Sequence, residues 1–364
     1  MKHGIYYAYW EHEWAADYCK YVDKVARLGF DYLEVGGKPL PDYTPEQIKA
    51  LKKCADVNGI GLTVGYGPAP HHNMGNPAVR DGALEWYKRL FDVMAQLDSH
   101  LVGGALYSYW PVDFSTVNKP EDWKRSVEGM QILAPYAKQY DINLGMEVLN
   151  RFENHILNVA EEGVAFVKEV GHDNVKVMLD TFHMNIEEDS IGDAIRTAGK
   201  YLGHFHTGER NRKVPGKGHT PWKEIGEALR DIGYDGHVTM EPFVLEGGQV
   251  GSDIKIWHDI SKGATEEQLD KDAADAESKY VVSCLNTGKV CIFTSTGKMH
   301  QAKVLDLPYG NFRNKGTPID NVTNFNSSDE QIVFICDENQ LRIGKLLFAT
   351  KHGMVKIVDG SEFM

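Results

Sequence analysis

Four ionisable residues stand at the ends of apolar runs, where an isolated charge is costly to bury. They are Glu147 in GMEVLN, Asp180 in VMLDTFH, His206 in HFHTG and Glu241 in TMEPF. Three carboxylates and one imidazole suit a hard or borderline divalent cation such as Mn²⁺, Co²⁺ or Mg²⁺, with positions left over for substrate oxygens. A zinc site built from His and Cys fits this set less well. Each residue alone has a plainer account. Glu147 could pair with Arg151, His206 could be a hydrogen-bonded interior histidine, and Glu241 could be a polar strand end. Their occurrence together argues for a metal site.

The two glutamates suggest what such a site would do. Two intervening strand ends separate Glu147 from Glu241, so they approach a common point from different sides, with Asp180 and His206 between them. Inverting a carbon next to a carbonyl needs a base on one face and an acid on the other. A cation on the carbonyl and the neighbouring hydroxyl would acidify the C–H bond and stabilise the enediolate. Glu153, His183 and Arg212 fall a few residues beyond the ligand set, where they could hold hydroxyl or carbonyl oxygens. Tyr6, Trp14 and Trp110 lie at or beyond strand ends and could form apolar walls. The basic loop Arg210–His219 follows a strand at a place where barrels bind phosphate, which leaves a sugar phosphate open as substrate. His71-His72 and Glu11-His12-Glu13 read as exposed loop residues rather than metal sites.

Positioning four residues in this way requires consecutive parallel strands. Apolar strand patterns occur at His3–Trp10, Phe30–Gly37, Ile60–Gly67, Leu101–Trp110, Ile142–Asn150, Val175–His183, Leu202–Gly208 and Gly236–Val244. Helical periods separate them at Ala15–Leu28, Pro45–Val57, Ala78–Leu97, Glu121–Tyr140, Glu161–Val170, Ile191–Ala198 and Pro221–Ile232. Ser190 with Asp193 three residues on reads as a helix start, as does Thr220 before Pro221. Gly29, Gly59 and Gly233 read as helix C-terminal glycines. Eight such units predict a closed (β/α)8 TIM barrel within the α/β class, with an open doubly wound sheet as the alternative. No GxGxxG follows the first strand, which argues against a dinucleotide site.

The chain has 364 residues and a net charge of -13. That balance argues against a nucleic-acid binder working through a general positive field. No apolar run reaches a membrane span and no secretory leader is evident, so a cytoplasmic protein is expected. Five cysteines without metal-site spacing suit a reducing compartment, and Cys19 and Cys54 read as core or half-buried thiols.

After about Lys262 the character changes. A charged helical stretch, TEEQLDKDAADA, gives way to short β-like runs. YVVSC–LNTGK–VCIFT and LLFAT–KHGM–VKIV read as hairpins, and Ile332–Cys336 as a further strand. Charge nearly balances here. Two domains are therefore expected, 1–276 as barrel and 277–364 as a small, incomplete all-β extension.

The motifs MKHGIYYAYW, GGALYSYWP, EVLNRFENH, VKVMLDTFHMNIEEDS, GHFHTGERNRKVPGKG and VTMEPFV resemble the D-tagatose/D-psicose (D-allulose) 3-epimerases, a xylose-isomerase-like barrel group. The resemblance spans about residues 1–275. It implies a Mn²⁺- or Co²⁺-dependent isomerase that epimerises free ketohexoses at C3, such as D-fructose to D-psicose or D-tagatose to D-sorbose. It places the ligands on Glu147, Asp180, His206 and Glu241, proton transfer on the two glutamates, and substrate contacts on Glu153, His183 and Arg212. It also assigns Tyr6, Gly67, Ala105, Trp110 and Phe243 to the sugar pocket, and implies a homodimer or homotetramer. The closest competing reading is a metal-dependent aldose–ketose isomerase. The remaining segment, notably KLLFATKHGMVK and GSEF, resembles part of the β-pinwheel that ends DNA gyrase A, of which about two blades would fit. This junction reads as a fusion or sequence-assembly join. It takes the place of a family terminal helix whose apolar face Tyr280, Val281 and Cys284 are candidates to replace. A DNA-associated role for 277–364 is the reading from a different class.

Overall fold

The computed structural model describes residues 1–277, 282, 284–307, 317–349 and 354–363. The chain divides into two compact units, Met1–Glu277 and Ser278–Met364.

In the first unit, eight parallel strands close into a barrel in sequence order. They are β1 (Lys2–Tyr6), β2 (Tyr32–Gly36), β3 (Gly61–Gly65), β4 (Leu101–Gly104), β5 (Asn143–Glu147), β6 (Val175–Asp180), β7 (Leu202–Thr207) and β8 (His237–Met240). The helices are α1 (Tyr18–Leu28), α2 (Pro45–Asn58), α3 (Arg80–Gln96), α4 (Lys119–Gln139), α5 (Ala160–Val170), α6 (Thr181–Glu187), α7 (Ile191–Ala198), α8 (Trp222–Asp231), α9 (Gly248–Ile254) and α10 (Glu266–Glu277). The closed sheet replaces the open-sheet alternative. Pairing of β1 with β8, in register Ile5↔Met240, is the bond that closes it.

Local chemistry explains the boundaries. Gly29 and Gly59 end α1 and α2 in the left-handed region at φ 95° and 65°, which costs glycine no Cβ clash. Ser190 caps α7 by accepting from the Asp193 amide. Thr220 does not cap α8; that helix starts at Trp222, with Pro221 before it and no side-chain cap. The strands are shorter than the apolar runs suggested. After Tyr6 the chain coils into a buried 3-10 turn, Tyr7–Trp10, whose Tyr7 and Trp10 rings pack on Tyr18 and Tyr21 of α1. An apolar run measures burial, and burial continues past the last ladder hydrogen bond.

Small residues inside the barrel leave room for large ones. A Cβ on Gly103 would meet Met178 Sδ at 2.5 Å, and one on Gly4 the Tyr32 ring at 2.3 Å. The α10 helix is tied to α1 by Lys24, which is buried and reaches Asp270 at 2.7 Å.

The second unit holds a three-stranded antiparallel sheet in the order β10–β9–β11 and a separate hairpin, β12–β13. These strands are β9 (Lys289–Thr294), β10 (Met299–Lys303), β11 (Ile332–Asp337), β12 (Lys345–Ala349) and β13 (Val355–Asp359), with α11 (Glu338–Ile343) between β11 and β12. Cys291, Phe293, Cys336 and Leu341 form its core, with Leu346, Phe348 and Phe363 against it. The second expected hairpin is present, its turn lying outside the described residues. The first is shifted. VCIFT pairs with the strand after it, through a turn where Gly297 takes φ 79°. Most of YVVSC, including Tyr280 and Val281, lies outside the described residues. Cys284 is exposed and so forms no apolar face.

Among the described residues no helix is long and apolar enough to cross a membrane.

Candidate active site and metal centre

The four residues at the strand ends meet. Glu147 and Asp180 are the last residues of β5 and β6. His206 pairs in register with Asp180 on one side and Thr239 on the other, and Glu241 follows β8. One ligand atom from each lies within 4.8 Å of every other. Asp180 and His206 are fully buried. Asp180 has two duties. Its Oδ1 accepts from the Phe182 amide at 2.9 Å and caps α6, while Oδ2 is buried with no hydrogen-bond partner among the described residues. His206 Nδ1 is orphaned in the same way, 3.5 Å from Glu241 Oε1. Two buried, unpartnered ligand atoms in a nest of carboxylates are what a cation would satisfy, so the residues present fit a divalent metal.

The electrostatics agree. Burial, then the neighbouring Glu241 charge, holds the Glu147 carboxyl well above the ordinary carboxylate range. His206 is held well above the ordinary imidazole range, because Glu34 and Glu241 outweigh the opposing effect of burial. Without a cation, the cluster retains protons to offset crowded negative charge.

Around the ligands, the other expected residues line one cleft: Tyr6, Gly67, Ala105, Trp110, Glu153, His183, Arg212 and Phe243, with Trp14. Gly67 fits because a Cβ there would press on Trp110 at 3.2 Å. Arg212, at φ 60°, turns inward from the basic loop and lies 3.5 Å over the Phe182 ring. Its guanidinium is 3.3 Å from Glu241, 3.5 Å from Glu153 and 3.7 Å from Asp180. Glu153 accepts from Trp110 Nε1 at 3.0 Å and Asn150 Nδ2 at 3.1 Å. Burial pushes its carboxyl up, but His183, Arg212 and these two donors hold it below its usual value.

The structure contradicts the simpler accounts of several residues. Arg151 pairs with Glu187, not Glu147. The Arg210–His219 loop is wound around a buried acid: Glu209 accepts from the Gly216 and Thr220 amides and from Trp222 Nε1. A carboxylate at the centre of that loop, with Arg212 spent on the cleft, disfavours phosphate there. His71-His72 and Glu11-His12-Glu13 form no metal-ligand cluster among the described residues.

Three neighbours of the site were not singled out from the sequence. Asn150 holds His183. Glu34 on β2 and His204 on β7 lie at the barrel axis beside His206 and form a second group of ligand types with it. Glu34 accepts from His206 Nε2 at 2.8 Å and His204 Nε2 at 2.7 Å. Burial would raise the Glu34 carboxyl, yet the two imidazoles hold it well below the ordinary range. The available signals were an acid inside the apolar run YLEVG, and the alternation HFH, which places both imidazoles on one strand face.

Comparison with known proteins gives the arrangement a context. Residues 22–266 match the family described as xylose isomerase-like TIM barrel. The chain is 60% identical over 289 residues to the D-psicose 3-epimerase of Ruminiclostridium cellulolyticum, covering 78% of this chain and 99% of that one. It is 58% identical over 279 residues to the D-psicose 3-epimerase of Agrobacterium fabrum, covering 76% and 96%. The crystal structure of D-psicose 3-epimerase from Clostridium cellulolyticum with D-tagatose superposes with a TM-score of 0.75 at 61% identity, over 76% of this chain and 97% of the other. With its closed barrel and converging strand-end residues, the chain belongs to the D-psicose 3-epimerase family of xylose isomerase-like TIM barrels.

Proposed function

We propose that the protein is a ketose 3-epimerase that inverts C3 of free ketohexoses, interconverting D-fructose and D-psicose, and D-tagatose and D-sorbose. The observation that carries this reading is the convergence of Glu147 and Glu241, from strand ends with two others between them, on one point beside Asp180 and His206. A single-faced proton transfer needs one such carboxylate; inversion needs two.

Glu147, Asp180, His206 and Glu241 would hold the cation, Mn²⁺ or Co²⁺ with Mg²⁺ as the alternative. When bound, it supplies a Lewis acid that lowers the pKa of the C–H bond beside the substrate carbonyl. One glutamate then takes the C3 proton from its face of the sugar. The other returns a proton to the opposite face, and the roles exchange in the reverse direction. His183 presents Nε2 3.7 Å from Glu147 and Asp180, where it meets a substrate oxygen beside the reacting carbon. Glu153 and Arg212 hold hydroxyls. Tyr6 and Trp14, each in edge contact with Phe243, shield the site from water.

The same reading makes residues 1–276 the catalytic domain and 277–364 an extension without a part in the chemistry. It also makes the protein a cytoplasmic homodimer or homotetramer assembled through barrel helices, which light scattering of the full chain tests. The activity itself is tested by incubating Mn²⁺- or Co²⁺-loaded full chain with D-fructose and separating the sugars by chromatography. D-psicose is the expected product. D-glucose or D-mannose would establish an aldose–ketose isomerase instead, and no turnover of any ketohexose by folded, metal-loaded protein would end the reading.

A further inference from the structure

The fully buried Glu34 carboxylate receives four donors. Oε1 takes His206 Nε2 at 2.8 Å. Oε2 takes His204 Nε2 at 2.7 Å, Thr63 Oγ1 at 3.0 Å and Thr239 Oγ1 at 3.1 Å. An ionised carboxylate only accepts, so both imidazoles meeting it must carry their proton on Nε2. For His206 that choice has a consequence at the other end of the ring. In the neutral, ligand form of the ring the lone pair is then on Nδ1, the buried atom without a hydrogen-bond partner that lies 3.5 Å from Glu241 Oε1.

We infer that Glu34 is a positioning residue of the metal centre: it fixes the tautomer and orientation of His206 so that Nδ1 is the ligand atom. His204 and the two threonines hold Glu34 in place. The alternative, a second cation among Glu34, His204 and His206, conflicts with the geometry. Their facing atoms already satisfy one another as hydrogen-bonded pairs at 2.7–2.8 Å, and Thr63 and Thr239 complete the carboxylate. The outward placement matters because a histidine that donates its far N–H to a carboxylate is both oriented and made a stronger ligand. This inference rests on the metal reading of the site.

The test uses Glu34→Gln in the full chain. The amide keeps the shape but replaces one acceptor oxygen by a donor, so both imidazoles cannot donate to it. Calorimetric Co²⁺ affinity is expected to fall about 10- to 100-fold, while the thermal midpoint of the metal-free protein changes far less than the affinity. Histidine-selective ¹⁵N spectra of the wild-type protein with excess Mg²⁺ should show the His206 proton on Nε2, and this readout stands even if the variant fails to fold. Wild-type Co²⁺ affinity in Glu34→Gln, or a His206 proton on Nδ1 in the Mg²⁺-loaded wild type, would overturn the inference alone. Failure of the wild type to bind Co²⁺ would remove the metal reading and this inference with it.

Discussion

Asn150 donates its side-chain amide to His183 Nδ1 at 2.8 Å. The Asn150 amide is itself oriented, because its Oδ1 accepts from the Phe152 backbone at 2.9 Å. His183 Nδ1 is therefore an acceptor, and its single proton in the neutral ring sits on Nε2, facing Glu147 and Asp180.

That relationship is testable by Asn150→Ala. Removing the side-chain donor leaves Nδ1 only the longer bond from the residue 150 backbone amide, 3.3 Å, and loosens the ring, a penalty of about 1–3 kcal/mol. Catalytic efficiency toward D-fructose should fall roughly 10- to 100-fold, since each 1.36 kcal/mol is tenfold. Steady-state kinetics beside calorimetric metal titration checks this. The expected pattern is poorer turnover with metal affinity nearly intact.

The glutamates should behave differently from their surroundings. Glu241→Gln and Glu147→Gln each remove a proton-transfer group and weaken a ligand, so turnover should drop by about 10²–10⁴ or more together with metal affinity. Saturating the variants with Mn²⁺ should restore occupancy without restoring turnover. Recovery of near-normal rates at saturating metal would show that the missing carboxylate acts only as a ligand.

Metal binding should release protons. In the metal-free cluster Glu147 and His206 are held above their ordinary values, so a cation must displace their protons to reach the ligand atoms. Affinity should therefore weaken as pH falls. Chelation should abolish activity, and Mn²⁺ or Co²⁺ should restore it. Calorimetry in buffers of different ionisation enthalpy measures the released protons directly; buffer-independent heats would contradict the charge assignment.

Acid should also loosen the barrel by a separate route. Burial, then the charge of His71, pushes His72 down from 6.5 to about 4. Burial, then His204 and Lys2, does the same to His237. A histidine whose pKa is depressed by folding favours the folded state fully above the unfolded value, and that contribution is lost as pH falls through the folded value. Stability should accordingly decline between pH 6.5 and 4, followed by thermal melts of the metal-free protein. His237→Asn should flatten part of that decline.

Much of this site was legible because barrel chemistry gathers at strand ends. Glu147, Asp180, His206 and Glu241 each interrupt an apolar run just where the ladder stops, and the cleft collects every other residue expected to contact substrate. What escaped notice was set by parity and by turns. Glu34 interrupts a strand in its middle, and its inward direction is visible only once β2 is placed against β3 and β7. Asn150 lies in a loop, and its bond to His183 depends on α6, a short helix whose start the sequence pattern places in the strand Val175–His183. Asp180 caps that helix and so turns His183 back into the barrel. Glu209 was hidden among the basic residues it organises.

The most direct measurement of the central claim is turnover of D-fructose in D₂O by the Mn²⁺- or Co²⁺-loaded full chain, read by NMR. Exchange through two carboxylates on opposite faces should place solvent deuterium at C3 of the D-psicose formed, with C1 unlabelled. Deuterium at C1 or C2 of an aldose product, or D-psicose formed without label from solvent, would contradict a two-glutamate inversion at C3.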